Sequence, residues 1–542
     1  MMTEETAKNL DMDYIFNRIV VYTPYGEGKK KEMSLYQRGE EEALKEELDR
    51  TDKVLRLLEN HRYIFVEIRN LFKTIKDLRG SFQRVKERET LSVIELFEIK
   101  IFLNTVGEIA EYIKKLPWDT PKALEPRPIE SLQKLLDPQQ SGVQTFFIYD
   151  EYSEDLRALR EKIKTLEVRS QKARMEVRER VERELGVKLR PSGEVTIHKG
   201  NREMLEKVRA YGGLVYSAET YMNITYKLKM DEAFDLLFKE IEELKLAEEE
   251  EEFLVRQELT GEIGRYLKEI HENVHALGAL DLMIAKAYFA LGIGGVKPQV
   301  VQGNVLDIAE GRYIKVEDSL RKESKAFTPI SLSLKEGVTC ITGANMGGKT
   351  ISLKLMGQLS VMAQYGLFVP AGEMTFSLKA YIFISLGDLQ STDMGLSTFG
   401  AEILEIRKIL KRAEEAGLIL MDELARGTNP SEGYALSKAV IDYLKEKEAM
   451  TVITTHIDGL TTDPLVAHLQ VRGLADVDFI RLKEEFLNRE EGKGIEAIQQ
   501  YMDYRLEVVH NRSKVPRDAI NIARLMGLEE AILQAAEKYL DE

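Results

Sequence analysis

The sequence predicts an α-helical first half, then an α/β domain, then a helical tail. Three observations carry this. Apolar residues recur at three- and four-residue spacing, with charges between them, through Leu44–Leu58 and Leu91–Ile113, as expected for helices with one buried face. Beyond Gly292-Ile293-Gly294-Gly295, short apolar strands alternate with helical stretches. That order implies a parallel sheet with helices packed on it. The strand Gly337–Thr342 runs directly into Gly343-Ala344-Asn345-Met346-Gly347-Gly348-Lys349-Thr350, a complete G-x-x-x-x-G-K-[ST] phosphate-binding loop.

Residues 10 to 115 read as helices, with a helix-to-helix turn at Tyr22-Thr23-Pro24-Tyr25-Gly26. A loop region with Pro117, Pro121, Pro126, Pro128 and Pro138 follows, and Val143–Tyr149 is a short β-prone segment. Glu154–Leu185 reads as one long helix of alternating charge, ended by Gly186, Pro191 and Gly193. Val195-Thr196-Ile197-His198 and Tyr221–Leu228 read as strands of a small insertion. Helix resumes at Asp231 and runs to Leu291, with Glu248–Glu252 as a solvated face. Repeated long helices suggest a lever or coiled arm. The strands Leu418–Met421 and Met450–Thr454 continue the α/β pattern, Tyr504–Leu506 reads as a last strand, and Ala519–Leu540 as a helical tail split near Gly527.

The bulk properties bound the function. A chain of 542 residues is expected to hold more than one domain. The net charge of −15 argues against a broadly basic surface but leaves room for a local basic groove. Cys340 is the single cysteine, so no intrachain disulfide forms, which fits a reducing compartment. No apolar run approaches a membrane span, and Met1-Met2-Thr3-Glu4-Glu5-Thr6 lacks the basic and apolar regions of a signal peptide. A cytoplasmic protein with no membrane partner is expected.

The chemistry lies in four separated pieces. In the phosphate-binding loop, glycines let backbone N–H groups converge on phosphates, and the following helix N-terminus adds a favourable dipole. Lys349 is placed to neutralise the β- and γ-phosphates of ATP, and the Thr350 hydroxyl to bind Mg²⁺. Leu418-Ile419-Leu420-Met421 delivers Asp422 and Glu423 at a strand end. Asp422 is expected to hold Mg²⁺, and Glu423 to orient and polarise the attacking water. Thr454-Thr455-His456 closes another strand, which makes His456 a candidate γ-phosphate sensor. Leu396-Ser397-Thr398-Phe399-Gly400 has no target in one subunit, where the glycine loop already covers the phosphates. It makes sense if Ser397 caps the nucleotide of a second subunit, which predicts a dimer.

These residues resemble the MutS family of ATPases, related to the ABC-type ATPases. The loop is similar to the family's G-P-N-x-G-G-K-[ST], with Ala344 in the Pro position. Met362 to Ala371 is similar to its A-Q-x-G-x-x-V-P-A stretch, Ser397-Thr398-Phe399 to its S-T-F, Asp422 to Gly433 to its D-E-x-x-x-G-T-x-x-x-[DE]-G box, and Thr455-His456 to its final T-H. Gly387-Asp388-Leu389-Gln390-Ser391, Leu135-Leu136-Asp137-Pro138 and Leu280 to Ala287 resemble the second bacterial MutS branch, associated with recombination control and ribosome rescue.

The resemblance implies an α-helical lever/clamp region followed by an α/β P-loop NTPase (ABC-type) domain with a helical C-terminal tail. The expected divisions are a helical core and lever over 1–298 with a clamp insertion at 190–270, an ATPase domain over 299–490, and a dimerisation segment over 491–542. It implies that Gly343, Ala344, Asn345, Met346, Gly347, Gly348, Lys349 and Thr350 bind phosphate, that Thr350 and Asp422 hold Mg²⁺, and that Ser397 reaches the other subunit's ATP. Lys349, Glu423 and His456 form the catalytic set, and Phe327 sits where the family places an adenine-stacking aromatic. The chain begins at the helical core and ends soon after the tail. Neither the mismatch-reading and connector domains nor a C-terminal Smr domain is therefore expected.

Two readings of the client stay open. One is a dimeric ATPase coupling ATP binding and hydrolysis to clamp motion on double-stranded or branched DNA, in mismatch repair or recombination. Its phosphate contacts would come from Lys188, Arg190, Lys199, Arg202, Lys207, Arg209, Lys227 and Lys229. The other is an ATP-dependent remodelling or reactivating factor for a protein client such as a cobalamin-dependent aminomutase.

Overall fold

A computed structural model describes residues 2–139, 146–343, 348–386, 398–425, 428–457, 459–473, 503–509, 520, 523–524 and 528–541. It is a mixed structure of helices and α/β sheets. Two compact units emerge: one of Met1–Lys73, Tyr112–Leu124 and Ala276–Glu542, the other of Thr74–Glu111 and Glu125–His275.

The N-terminal helices are α1 (Glu4–Asn9), α2 (Met12–Arg18), α3 (Pro24–Lys31), α4 (Glu41–Asn60), α5 (Arg62–Phe72), α6 (Arg79–Lys86), α7 (Val93–Lys114) and α8 (Glu130–Leu136). In α4 the three- and four-residue spacing buries Leu44, Leu48, Val54, Leu57 and Leu58 on one face. The expected turn at 22–26 is half helix. Thr23 is the N-cap, its Oγ1 accepting the Gly26 N–H at 2.8 Å, and Pro24 opens α3. The β-prone stretch is not a strand over its described part, 146–149.

In the second unit, α9 (Glu154–Leu185) has the bounds the sequence suggests. Ser153 caps its start, accepting the Leu156 N–H at 3.2 Å, and Gly186 ends it at φ +70°. The insertion is a small sheet of β1 (Glu194–His198), β2 (Leu214–Glu219) and β3 (Asn223–Leu228) in the order β1-β3-β2, with α10 (Arg202–Ala210) between β1 and β2. Neither α10 nor β2 is legible in the sequence, and Tyr221 and Met222 lie before β3 rather than in it. The long helix breaks at Tyr266 into α11 (Glu232–Arg265) and α12 (Leu267–Ile293). The Glu248–Glu252 run is only partly a solvated face. Arg160 on α9 donates to Glu248 Oε1 at 2.8 Å and Glu252 Oε1 at 2.5 Å, so two of those acids join α9 to α11.

Among the described residues one helix, α12, has the length and hydropathy of a membrane span, but 72% of its apolar window is buried. It behaves as a core helix. Its Asp281 carboxylate is buried and accepts the Thr23 N–H at 2.7 Å, the Tyr22 N–H at 2.9 Å and the Thr23 hydroxyl at 2.8 Å, fastening α12 to the start of α3. Burial raises its pKa, and those hydrogen bonds pull it back.

The remaining elements are β4 (Gln299–Val300), β5 (Leu306–Gly311), α13 (Ile314–Lys322), β6 (Ile330–Leu334), β7 (Gly337–Thr342), α14 (Gly348–Gln364), β8 (Glu373–Phe376), β9 (Ile382–Ser385), α15 (Thr398–Leu410), β10 (Leu418–Asp422), α16 (Pro430–Leu444), β11 (Met450–Thr454), β12 (Ala467–Gly473), β13 (Asp503–Val508) and α17 (Glu530–Asp541). Six strands order as β13-β12-β7-β11-β10-β9. All neighbours are parallel except β12 and β13. β7 is buried along its whole length, and α14 buries most of its residues, the polar Ser352, Gln358, Ser360 and Gln364 among them. β13 is the last strand expected near Tyr504. A four-stranded sheet, β4-β8-β5-β6, completes this unit. The Cys340 thiol, buried in β7, is pushed up to about 12 by burial, which makes it a packing residue.

One buried charge gives a testable pH effect. Lys379 is 2% exposed, and its ammonium donates to Asn304 Oδ1 at 2.6 Å and Ser377 Oγ at 3.2 Å. Burial, then the Arg38 charge, push its pKa down to about 7 from 10.5. Between those two values the unfolded chain binds the proton and the folded chain does not, so stability rises with pH across that window. Relative to Lys379→Met, the natural protein should gain up to about 1.4 kcal/mol per pH unit there. Urea unfolding of both proteins at pH 7 and at about 9.5 checks this. Parallel pH profiles would remove Lys379 as the source.

Candidate functional site

Three parallel strands bring the predicted residues to one end of the sheet. β7 leads into Gly343, β10 ends at Asp422, and β11 ends at Thr454. The register pairs Asp422 with Thr454 and Thr454 with Ile341. Carboxyl ends of parallel strands are where ligand crevices form.

The loop glycines are required sterically. Gly343 has φ +129°, and a Cβ there would lie 3.0 Å from Val471 Cβ. At Gly348 a Cβ would lie 2.9 Å from the Tyr504 ring. β12 and β13 thus press against these two positions and leave no room for a side chain at either. Ala344, Asn345, Met346 and Gly347 lie outside the described residues, as does Ser397.

Gly348 opens α14, and Lys349 follows, 4% exposed, its Nζ donating to the Gly343 carbonyl at 2.8 Å. Burial lowers its pKa, while the Glu423 and Asp422 carboxylates pull it back up. A bound anion would offset that cost by attraction.

Asp422 is held from two sides. Its Oδ2 accepts the Thr350 hydroxyl at 2.7 Å, and its Oδ1 accepts the Thr454 hydroxyl. The Glu423 N–H is shared between Thr454 Oγ1 at 3.1 Å and the Thr454 carbonyl at 3.2 Å. The chain then turns through two non-glycine residues in the left-handed region, Glu423 at φ +50° and Ala425 at φ +60°. Such conformations persist where surrounding structure over-determines them. The Glu423 carboxylate is 11% exposed and lies 3.7 Å from Nδ1 of His456, which is 56% exposed. A hydroxyl and a carboxylate facing each other form a hard-oxygen donor pair, which suits Mg²⁺.

The structure therefore gathers Gly343, Gly348, Lys349, Thr350, Asp422, Glu423 and His456 at one end of the sheet. Phe327 lies in the loop before β6, half-buried against the large apolar core. Sequence reasoning assigned no role to Thr454, although its hydroxyl links the Asp422 carboxylate to the Glu423 backbone N–H. The signal was there in Thr454-Thr455-His456, but only strand register reveals what Thr454 faces. It also missed His468 on β12, whose Nε2 is 2.8 Å from Thr342 Oγ1 and whose pKa burial lowers.

Comparison with known proteins gives the family. Residues 339–542 match the family model described as MutS domain V. The chain is similar to proteins named Endonuclease MutS2. That of Carboxydothermus hydrogenoformans is 33% identical over 305 residues, 56% of this chain and 36% of its own length. That of Caldanaerobacter subterraneus subsp. tengcongensis is 26% identical over 555 aligned residues, 99% of this chain and 64% of its own. That of Shouchella clausii is 29% identical over 483 residues, 86% of this chain and 57% of its own. The chain thus spans less than two thirds of the length of these curated relatives.

Proposed function

Because the chain belongs to the MutS family, whose members are ATPases, we propose that it is a Mg²⁺-dependent ATPase acting as a homodimer on DNA, in repair or recombination. One observation carries the catalytic part: the hydrogen-bonded series Thr350–Asp422–Thr454, with Glu423 beside it, joins the phosphate-loop helix to the acids of β10. The relatives' name supports the DNA client.

In this reading Lys349 binds the β- and γ-phosphates with its ammonium. Thr350 and Asp422 would hold Mg²⁺, which would supply positive charge to the phosphate oxygens. Glu423 accepts a hydrogen bond from the attacking water and aligns it with the γ-phosphorus. His456, exposed beside Glu423, serves as the γ-phosphate sensor in this reading. Ser397 completes the partner's site, Phe327 stacks on adenine, and ATP binding closes the two ATPase domains. The long helices α9 and α11 transmit that closure as clamp motion. A cytoplasmic location is consistent with the lone, buried Cys340.

Thr454 is a positioning residue in this scheme. Thr454→Val keeps shape and β-propensity but removes the hydroxyl that holds Asp422 and Glu423. Support of this kind to a metal ligand is worth about 10- to 100-fold in metal affinity or activity. The expected outcome is a rise of that order in the Mg²⁺ concentration for half-maximal turnover, with ATP binding in EDTA unchanged. An unaltered Mg²⁺ titration would remove the role.

Mixing two inactive variants tests the paired arrangement. A Ser397→Ala subunit with a Lys349→Ala subunit creates one site damaged twice and one intact. Partial ATPase activity should return on mixing. No recovery, with mixed dimers confirmed by mass, would count against action across subunits.

A further inference from the structure

Within the second unit, α6 and the α11–α12 junction enclose a groove of two adjoining cavities. One, of about 470 Å³, lies between Arg79, Phe82, Lys86, Lys268 and His271; the next, of about 490 Å³, between Lys86, Arg88, Thr260, Gly261, Gly264 and Arg265. Lys86 and Leu267 line both. No carboxylate lines either one, in a chain whose net charge is −15. Arg79 pairs with Asp77 and Arg265 with Glu262. Lys86, Arg88 and Lys268 have no ion-pair partner among the described residues.

The walls are fixed. Leu91 N–H donates to Thr260 Oγ1 at 3.0 Å, and Arg256 Nη1 to the Leu91 carbonyl at 3.2 Å, tying the segment after α6 to α11. Arg88 is held at φ +62°, a left-handed conformation costly for a non-glycine residue. On the α11 side Gly261 and Gly264 add no side chain to a wall that also holds Gln257, Thr260 and Arg265. Phe82 and Val85 in the floor are 3% and 4% exposed. By contrast, cations of the insertion named from sequence are partly neutralised: Lys199 pairs with Glu219 at 2.5 Å and Lys207 with Glu203 at 2.8 Å.

We propose that this groove is a binding site for the sugar-phosphate backbone of duplex DNA, with Lys86, Arg88 and Lys268 as its phosphate contacts. From Arg79 to Lys86, α6 rises about 10 Å. Over that length one strand of a duplex presents about three phosphates. The inference rests on the DNA reading above and adds a contact surface that uses none of the basic residues named from the sequence.

The test uses the full chain and a duplex of about 30 bp, with binding read by fluorescence anisotropy between about 50 and 200 mM salt. For the triple variant Lys86→Gln, Arg88→Gln, Lys268→Gln, the slope of log affinity against log salt should fall by about 2 to 3, and low-salt affinity by at least about tenfold. Basal ATPase activity should be unchanged, which also reports folding. A second readout is acetylation of the natural protein, in which duplex should shield Lys86 and Lys268. Unaltered slope and affinity, or no shielding, overturns the groove while leaving DNA binding intact. Shielding by single-stranded RNA of equal length but not by duplex also overturns it. A natural protein that binds no duplex at low salt overturns both the groove and the DNA client.

Discussion

Glu423→Gln is expected to lower ATP turnover by about 10²- to 10³-fold while leaving ATP affinity nearly unchanged. The glutamine keeps the size of the side chain and an acceptor oxygen. It loses the charge that polarises water and accepts its proton. The backbone should not respond, because its geometry there is set by the shared hydrogen bond from the Glu423 N–H to Thr454 rather than by the side chain. With hydrolysis blocked and binding intact, an ATP-bound dimer should accumulate, visible as a doubling of mass by light scattering. Steady-state kinetics checks the first part. Turnover close to that of the natural protein would remove Glu423 from its role and direct attention to His456, 3.7 Å away.

Lys349→Ala should abolish usable nucleotide affinity. Hydrogen bonds to charged groups contribute about 1.5 to 3 kcal/mol each, so contacts to two phosphates correspond to a loss of at least about 10²-fold. The fold should tolerate the change. Lys349 is buried with a lowered pKa, so its charge is a cost to the nucleotide-free protein. Calorimetric titration with ATP would show the loss, and thermal unfolding would show a Tm at or above that of the natural chain. Near-normal ATP affinity would contradict the assignment. A collapsed Tm would instead mark Lys349 as structural, through its bond to the Gly343 carbonyl.

Much of the site was legible because its chemistry restricts residue types. A phosphate loop needs glycines, then Lys and Thr at a helix start. A metal acid needs an apolar strand that ends in Asp. These demands act on contiguous residues, and the structure brings Lys349, Thr350, Asp422, Glu423 and His456 together. The long helices were legible for a similar reason, since a period of 3.6 survives in any tertiary setting. The bounds of α9 follow from Ser153 and Gly186, both local signals. The small elements were not. β2 is an edge strand with most residues exposed, so no alternation of apolar and polar residues marks it. The continuous helical pattern across Tyr266 hid the break between α11 and α12.

The sequence by itself determined the class of chemistry and the alternation of elements that supports it, because both are written in neighbouring residues. The tertiary structure alone decided which distant groups meet. Thr454 faces Asp422 only through the β10–β11 register, and Arg160 finds Glu248 and Glu252 only where α9 lies along α11. Residues 79–88 and 257–274 form one cationic groove although nearly 170 positions separate them. Contacts of that kind depend on the packing of whole elements, and no local pattern of charge or hydrophobicity encodes which face of one helix meets which face of another.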